Sequence, residues 1–432
     1  REFVPPEDRG GFLVILESPE GSTLAYHDRL QFEVEKILAE FNTPQLQCET
    51  DTGIDTIPLS SEVSFNSWQP DIPEEYWKLE VNELVQRVRA SRERLGDQVV
   101  ILGHHYQRED IVQFADERGD SFALAQYASD RSDSPYIVFC GVHFMAEAAD
   151  ILAAPHQRVI LPNMEAGCSM ADMASPPDVY SAWRELETFF GSTADIIPVT
   201  YMNSAASLKA FCGENGGAVC TSSNAVQVLE WAFEQGKRVF FFPDQHLGRN
   251  TGSEMGIPLD EMVLWNWRKP AGNLGDLKEQ ALRDSRIILW QGHCSVHQRF
   301  SLPQMEQTRA RFPEVEIIVH PECRYEVVQA ADATGSTAFI AEYVAKANPG
   351  SVIAIGTEIN LVSRLAKENP DKTIFCLDPV VCPCSTMYRV HPAYLAWVME
   401  SLERGEVINR IEVPNDTKTH AKIALERMLA LK

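Results

Sequence analysis

From residue 76 onward the sequence repeats one grammar: a short apolar run ending in polar groups, then a stretch with apolar residues at helical spacing. QVVILGHHY, YIVFCGVHF, RVILPN, DIIPVTYMN, RVFFFPDQHLG, RIILWQGHCSVH, VEIIVHPEC, SVIAIGTE and TIFCLD all follow it. Continuous apolar runs of this length read as strands buried on both faces, and their alternation with helices predicts parallel sheets. So many units exceed one sheet, and 432 residues exceed one ordinary core. The polar run ends place side chains at the carboxyl edges of those sheets, where open α/β folds bind ligands. In WKLEVNELVQRVRASRERL, Trp77, Leu79, Leu84, Val85 and Val88 share one helical face. The first 75 residues read differently. GFLVILES and STLAYHD suggest strands, DRLQFEVEKILAEF an amphipathic helix, and DTGIDTIPLSSEVSFNSWQPDIPEEY a linker.

Hydrophobic content of 44% and charged content of 23% are ordinary for a globular protein. A formal net charge of −24 argues against nucleic acid as a partner, because that role needs a basic surface. It does not exclude small anions, which a few backbone N–H groups and local cations suffice to hold. No long apolar run predicts a membrane span, the acidic, Pro- and Gly-rich start is unlike a secretory signal, and a cytoplasmic protein is expected. The ten cysteines are dispersed through a long chain rather than packed into a small one, so thiols or metal ligands are expected instead of disulfides.

Three cysteines stand out by context. Cys168 in EAGCSMAD lies at a strand-to-helix junction, where backbone N–H groups favour thiolate. Cys294 in WQGHCSVH sits between His293 and His297, and Cys384 in CPCSTM follows Cys382 and a proline. No close C-x-x-C relates the three, which argues against a zinc ribbon or a compact ferredoxin site. They are either unrelated buried thiols or single ligands converging from different loops on a shared cluster. GHHYQ, RGDS, TYMNSAA, CTSSN, HPEC and TGST add His104, Tyr106, Ser121, Tyr201, Asn203, Ser222, His320, Glu322, Ser336 and Thr337 at strand ends. A Gly-Ser-Thr turn offers donors to phosphate or carboxylate, and a histidine beside a glutamate suits proton transfer. Taken alone, a strand-end histidine is more often a satisfied structural group and a Ser-Thr after glycine more often a helix cap, so the set is more informative than any member.

The ordered set GHHYQ, GDSFALA, FCGVHFMAEAADIL, LPNMEAGCSMAD, TYMNSAASLKA, CTSSNAV, FFPDQHLGRN, WQGHCSVH, HPEC, TGST, IGTE and CPCSTM resembles the quinolinate synthases from about Val99 to the end. The resemblance implies an α/β fold of three similar three-layer αβα units with parallel sheets around a pseudo-threefold axis. The expected division is an extension over 1–75, then units over 76–171 (completed by 400–432), 172–297 and 298–399. It implies one [4Fe–4S] cluster at their junction, held by Cys168, Cys294 and Cys384 with one iron open. It also implies condensation of iminoaspartate with dihydroxyacetone phosphate to quinolinate, phosphate and water, for NAD biosynthesis, with a functional link to an aspartate-oxidising enzyme. Substrate contacts carried over are His104, Ser121, Tyr201, Asn203, Ser222, His297, His320, Glu322, Ser336 and Thr337. Glu322 is the expected base, with His320, Tyr106 and Tyr201 sharing the proton work. Leu247 to Arg286 is longer than in short family members and reads as a surface insertion. An aconitase-like hydro-lyase and a non-catalytic iron–sulfur redox sensor are the alternatives.

Overall fold

The computed structural model describes residues 72–130, 133–378 and 383–431. Every described residue belongs to the unit Phe65–Lys432. The strands and helix expected within the first 71 residues, and Cys382, lie outside the described residues.

Three sheets carry the fold. The first has the order β14-β4-β3-β1-β2, built from β1 (Val99–His104), β2 (Glu117–Gly119), β3 (Tyr136–Cys140), β4 (Arg158–Ile160) and β14 (Arg410–Ile411). The second has the order β6-β5-β7-β9-β8, from β5 (Ile196–Tyr201), β6 (Ala218–Cys220), β7 (Arg238–Phe242), β8 (Met262–Trp265) and β9 (Ile287–Trp290). The third is β11-β10-β12-β13, from β10 (Glu316–Val319), β11 (Ala333–Thr334), β12 (Val352–Gly356) and β13 (Thr373–Cys376). All pairings are parallel except β14 with β4. Helices flank each sheet, giving three similar αβα units. Every residue of β1 and β5 is buried, the apolar runs and the His104, Thr200 and Tyr201 that close them alike.

The units match residue by residue. Leu102, Val199 and Ile318 each open the pairing to the neighbouring edge strand, so His104, Tyr201 and His320 occupy one position. Counting onward from the same register makes Ser121, Ser222 and Thr337 equivalent. In the first unit the Ile101 N–H donates to Asp116 Oδ2 at 2.7 Å, and in the third the Ile317 N–H donates to Asp332 Oδ2 at 2.7 Å. The second unit has Pro198 there, which carries no N–H, and opposite it stands Gly217 instead of an aspartate. A side chain at Gly217 would overlap the Pro198 carbonyl. The repeat therefore drops the carboxylate where its partner donor is missing.

Segments distant in sequence are locked together. Arg87 of the helix Val81–Leu95 bonds both carboxylate oxygens of Glu400 at 2.6 Å, and the Tyr76 hydroxyl donates to the same group. Trp77 departs from the expected apolar face. It ends a separate short helix, Glu74–Trp77, is 50% exposed and meets Tyr394 edge-on, while Tyr76 takes the buried position. After β14 joins the first sheet, the helix Asn415–Ala430 crosses the helix Ala206–Glu214 so closely that a methyl on Gly213 would overlap the His420 carbonyl. The longer stretch from Leu247 to Arg286 is more than a surface loop: it supplies β8, the edge strand beside β9.

Candidate active site

The carboxyl ends of the three sheets line one cavity with about 640 Å³ of non-atom space, its mouth included. It gathers His104, Tyr106, Ser121, Tyr201, Asn203, Ser222, His297, His320, Glu322 and Thr337, together with Cys168, Cys294 and Cys384. Ser336 is the expected residue that lies outside this lining. Its hydroxyl caps the helix Thr337–Lys346 by accepting from the Phe339 N–H, and it borders a neighbouring groove.

Glu322 is the electrostatic centre. Tyr201 Oη donates to Glu322 Oε1 at 2.6 Å, and His297 Nδ1 lies 2.9 Å from Glu322 Oε2. His320 stacks on His297 with ring centroids 4.5 Å apart. Burial pushes the Glu322 carboxyl up, but the imidazoles of His297 and His320 and the hydrogen bonds from His297 and Tyr201 outweigh it and hold the group below the usual carboxylate range. Burial and the Glu322 charge push the Tyr106 and Tyr201 phenols well up, so both remain donors.

The network continues through a residue that the sequence reading did not single out. His297 Nε2 lies 3.1 Å from Thr357 Oγ1, which lies 2.8 Å from Tyr106 Oη. An unbroken hydrogen-bonded path thus joins Tyr106 to Glu322. Thr357 stands in IGTE, directly after β12, so its strand-end position was visible. A lone threonine there is also an ordinary helix-start residue, and nothing local told the two apart.

His104 and His320 repeat one device. His104 Nδ1 accepts from the Tyr106 N–H at 3.1 Å, and His320 Nδ1 accepts from the Glu322 N–H at 3.3 Å. Burial, with neighbouring positive charge, lowers both, His320 to about 3, so each is a neutral ring with its N–H on Nε2. Asn203 Oδ1 is buried and has no partner among the described residues, leaving an acceptor open to a ligand N–H.

The cysteines correct the expectation of a cluster held by Cys168, Cys294 and Cys384. The ligand atoms brought within 4.8 Å of one another belong to Cys294, His297 and Glu322, a set with one thiol. The cause is local. The Gln298 N–H bonds the Cys294 carbonyl at 3.0 Å, and this turn folds Cys294 beside His297, whereas Cys168 and Cys384 begin the short helices Ser169–Asp172 and Ser385–Tyr388, line the same cavity and act on the Cys294 thiol as electrostatic neighbours. One thiol, one imidazole and one carboxylate suit a transition metal of intermediate softness. Burial pushes the Cys168 thiol up to about 12 despite N–H groups from Met170 and Ala171.

Among the described residues no helix is long and apolar enough to cross a membrane. Residues 86–430 match the family model described as quinolinate synthetase A protein. A quinolinate synthase of Corynebacterium glutamicum is 56% identical over 84% of this chain and 91% of its own length. One from Geobacillus sp. (strain WCH70) is 53% identical over 84% and 97%, and one from Streptomyces coelicolor 54% over 81% and 88%. With four fifths of the sequence aligned at such identity and the site side chains gathered in one cavity, the chain belongs to the quinolinate synthase family.

Proposed function

We propose that this iron–sulfur-dependent enzyme condenses iminoaspartate with dihydroxyacetone phosphate to give quinolinate, phosphate and water in the cytoplasm, for NAD biosynthesis. The observation that carries the reading is the hydrogen-bonded line Tyr106–Thr357–His297–Glu322–Tyr201 along one cavity wall. Ring formation needs protons taken from carbon and nitrogen and given to departing hydroxyls. Glu322, ionised and held by two donors, takes them. Tyr106 and Tyr201, kept protonated by burial, return them. The Nε2–H groups of His104 and His320 and the hydroxyls of Ser121, Ser222 and Thr337 are donors for carboxylate and phosphate oxygens. Asn203 Oδ1 accepts from the imine or amine nitrogen. Cys294 is the thiol that would hold the metal group, which would supply a Lewis acid there, while Glu322 stays with Tyr201 and His297. An aspartate-oxidising enzyme is the expected source of the labile imine.

The test is anaerobic incubation with freshly generated iminoaspartate and dihydroxyacetone phosphate. The account expects quinolinate with phosphate released in step, and no product when the triose phosphate is left out. Turnover of a hydroxy acid without any triose phosphate would move the assignment to a hydro-lyase.

A further inference from the structure

The geometry points to Asn250 and Arg364 as positioning residues, each holding the site-bearing loop of a different αβα unit from its own. In the three units the helix after the third strand in chain order (β3, β7 and β12) has its N-cap at Val142, Asp244 and Glu358. The sixth residue past that cap is Ala148, Asn250 and Arg364 respectively. Asn250 is buried, and its Nδ2 donates to the carbonyls of Pro321 and Cys323, both at 2.8 Å. Those carbonyls flank Glu322. Arg364 is also buried, and its Nη2 donates to the His105 carbonyl at 2.7 Å. From the same helix Asn360 Nδ2 reaches the Tyr106 carbonyl at 3.2 Å. Pro321 and His105 are equivalent, since each follows the strand-end histidine of its unit. One helical position in the second and third units thus grips one loop position in the third and first.

The loops need this support. Pro321 has no N–H, and the Glu322 N–H is spent on His320, so the carbonyls on either side of Glu322 turn to another element. The first unit has alanine at the gripping position. The loop after Tyr201 is instead held from within, by Ser204 Oγ on the Tyr201 carbonyl at 2.8 Å and by Lys209 Nζ on the Ser204 carbonyl. Each grip also leaves a buried polar atom without a partner among the described residues, Asn250 Oδ1 and Arg364 Nη1. An unpaired buried polar atom is unfavourable, so packing alone is better met by an apolar side chain of the same shape. What these two residues provide that such a side chain does not is a donor at a fixed place.

This inference rests on the reaction proposed above. The experiment uses the full chain as Asn250→Asp, which keeps the shape and removes the donors, Arg364→Met, and Arg364→Lys, which keeps one donor. Quinolinate kcat and KM are read beside melting temperature and backbone amide exchange. Loop displacement of an ångström costs about 100-fold in rate. The expected result is therefore a kcat lower by about 10- to 100-fold for Asn250→Asp and Arg364→Met, KM within about twofold, and most of kcat restored in Arg364→Lys. Exchange should quicken at 322–324 in Asn250→Asp and at 105–107 in Arg364→Met, each leaving the other loop unchanged. Quickened exchange with wild-type kcat, or a kcat loss that tracks melting temperature and is not recovered by lysine, overturns the inference. If the wild-type chain forms no quinolinate, the reaction assignment fails and exchange decides the grip alone: selective loosening upholds it and unchanged loops end it.

Discussion

Glu322 sits where groups from all three αβα units meet, and its behaviour follows from what surrounds it. Thr357 is the exposed prediction of that arrangement. Its hydroxyl hydrogen-bonds both Tyr106 and His297, so Thr357→Val should lower kcat about 10- to 100-fold while Thr357→Ser keeps it, read by steady-state quinolinate formation. Histidines give a second prediction. Burial, with nearby Arg364 for one and Arg108 for the other, lowers His105 and His391 to about 4, below the value near 6.5 of an unfolded chain. The unfolded state then takes the proton first. Their contribution to stability is whole above about pH 6.5 and drains away as pH falls toward 4, so the melting temperature should drop across that window. The candidate side chains were largely legible because polar residues at the ends of apolar runs stand out. The cysteine set was not, because which thiol approaches His297 depends on the turn at 294–298, a tertiary detail without a spacing signature.

At the scale of elements, the nine apolar runs became β1, β3, β4, β5, β7, β9, β10, β12 and β13. The strands that escaped notice are β2, β6, β8, β11 and β14, all of two to four residues. Such lengths are too short for any periodicity, and the Glu117–Gly119 strand contains two exposed charged residues. Their place is set instead by backbone partners. Asp116 shows how: its carboxylate accepts from the fully buried Ile101 N–H and pairs with Arg92 at 2.7 Å. Asp116→Ala should destabilise the chain by about 1–3 kcal/mol in denaturant melts, by leaving that donor unpaired. Gly213→Ala should destabilise by about 1–3 kcal/mol as well, because the added methyl forces the helix Asn415–Ala430 off its neighbour. That crossing was invisible in sequence, where Gly213 is one more glycine near a helix end.

Across the whole molecule, no unit owns the site. The first supplies His104, Tyr106 and Ser121, the second Tyr201, Asn203, Ser222 and, just beyond its last strand, His297, and the third His320, Glu322, Thr337 and Thr357. Equivalent register positions carry different chemistry, histidine, tyrosine and histidine, so one repeated fold has become an asymmetric cavity. The sequence made the parallel α/β class and the repetition readable through its recurrent grammar. How the three sheets share one cavity came from long-range ties such as Asn250 to the carbonyls of Pro321 and Cys323, which have no local trace. The central claim is that this shared wall performs the proton transfers through Glu322. It is tested most directly by quinolinate turnover of Glu322→Gln beside the wild type, with affinity for added quinolinate measured on both proteins. A kcat loss of about 100-fold or more with affinity retained is the predicted result. Wild-type turnover in Glu322→Gln would contradict the account.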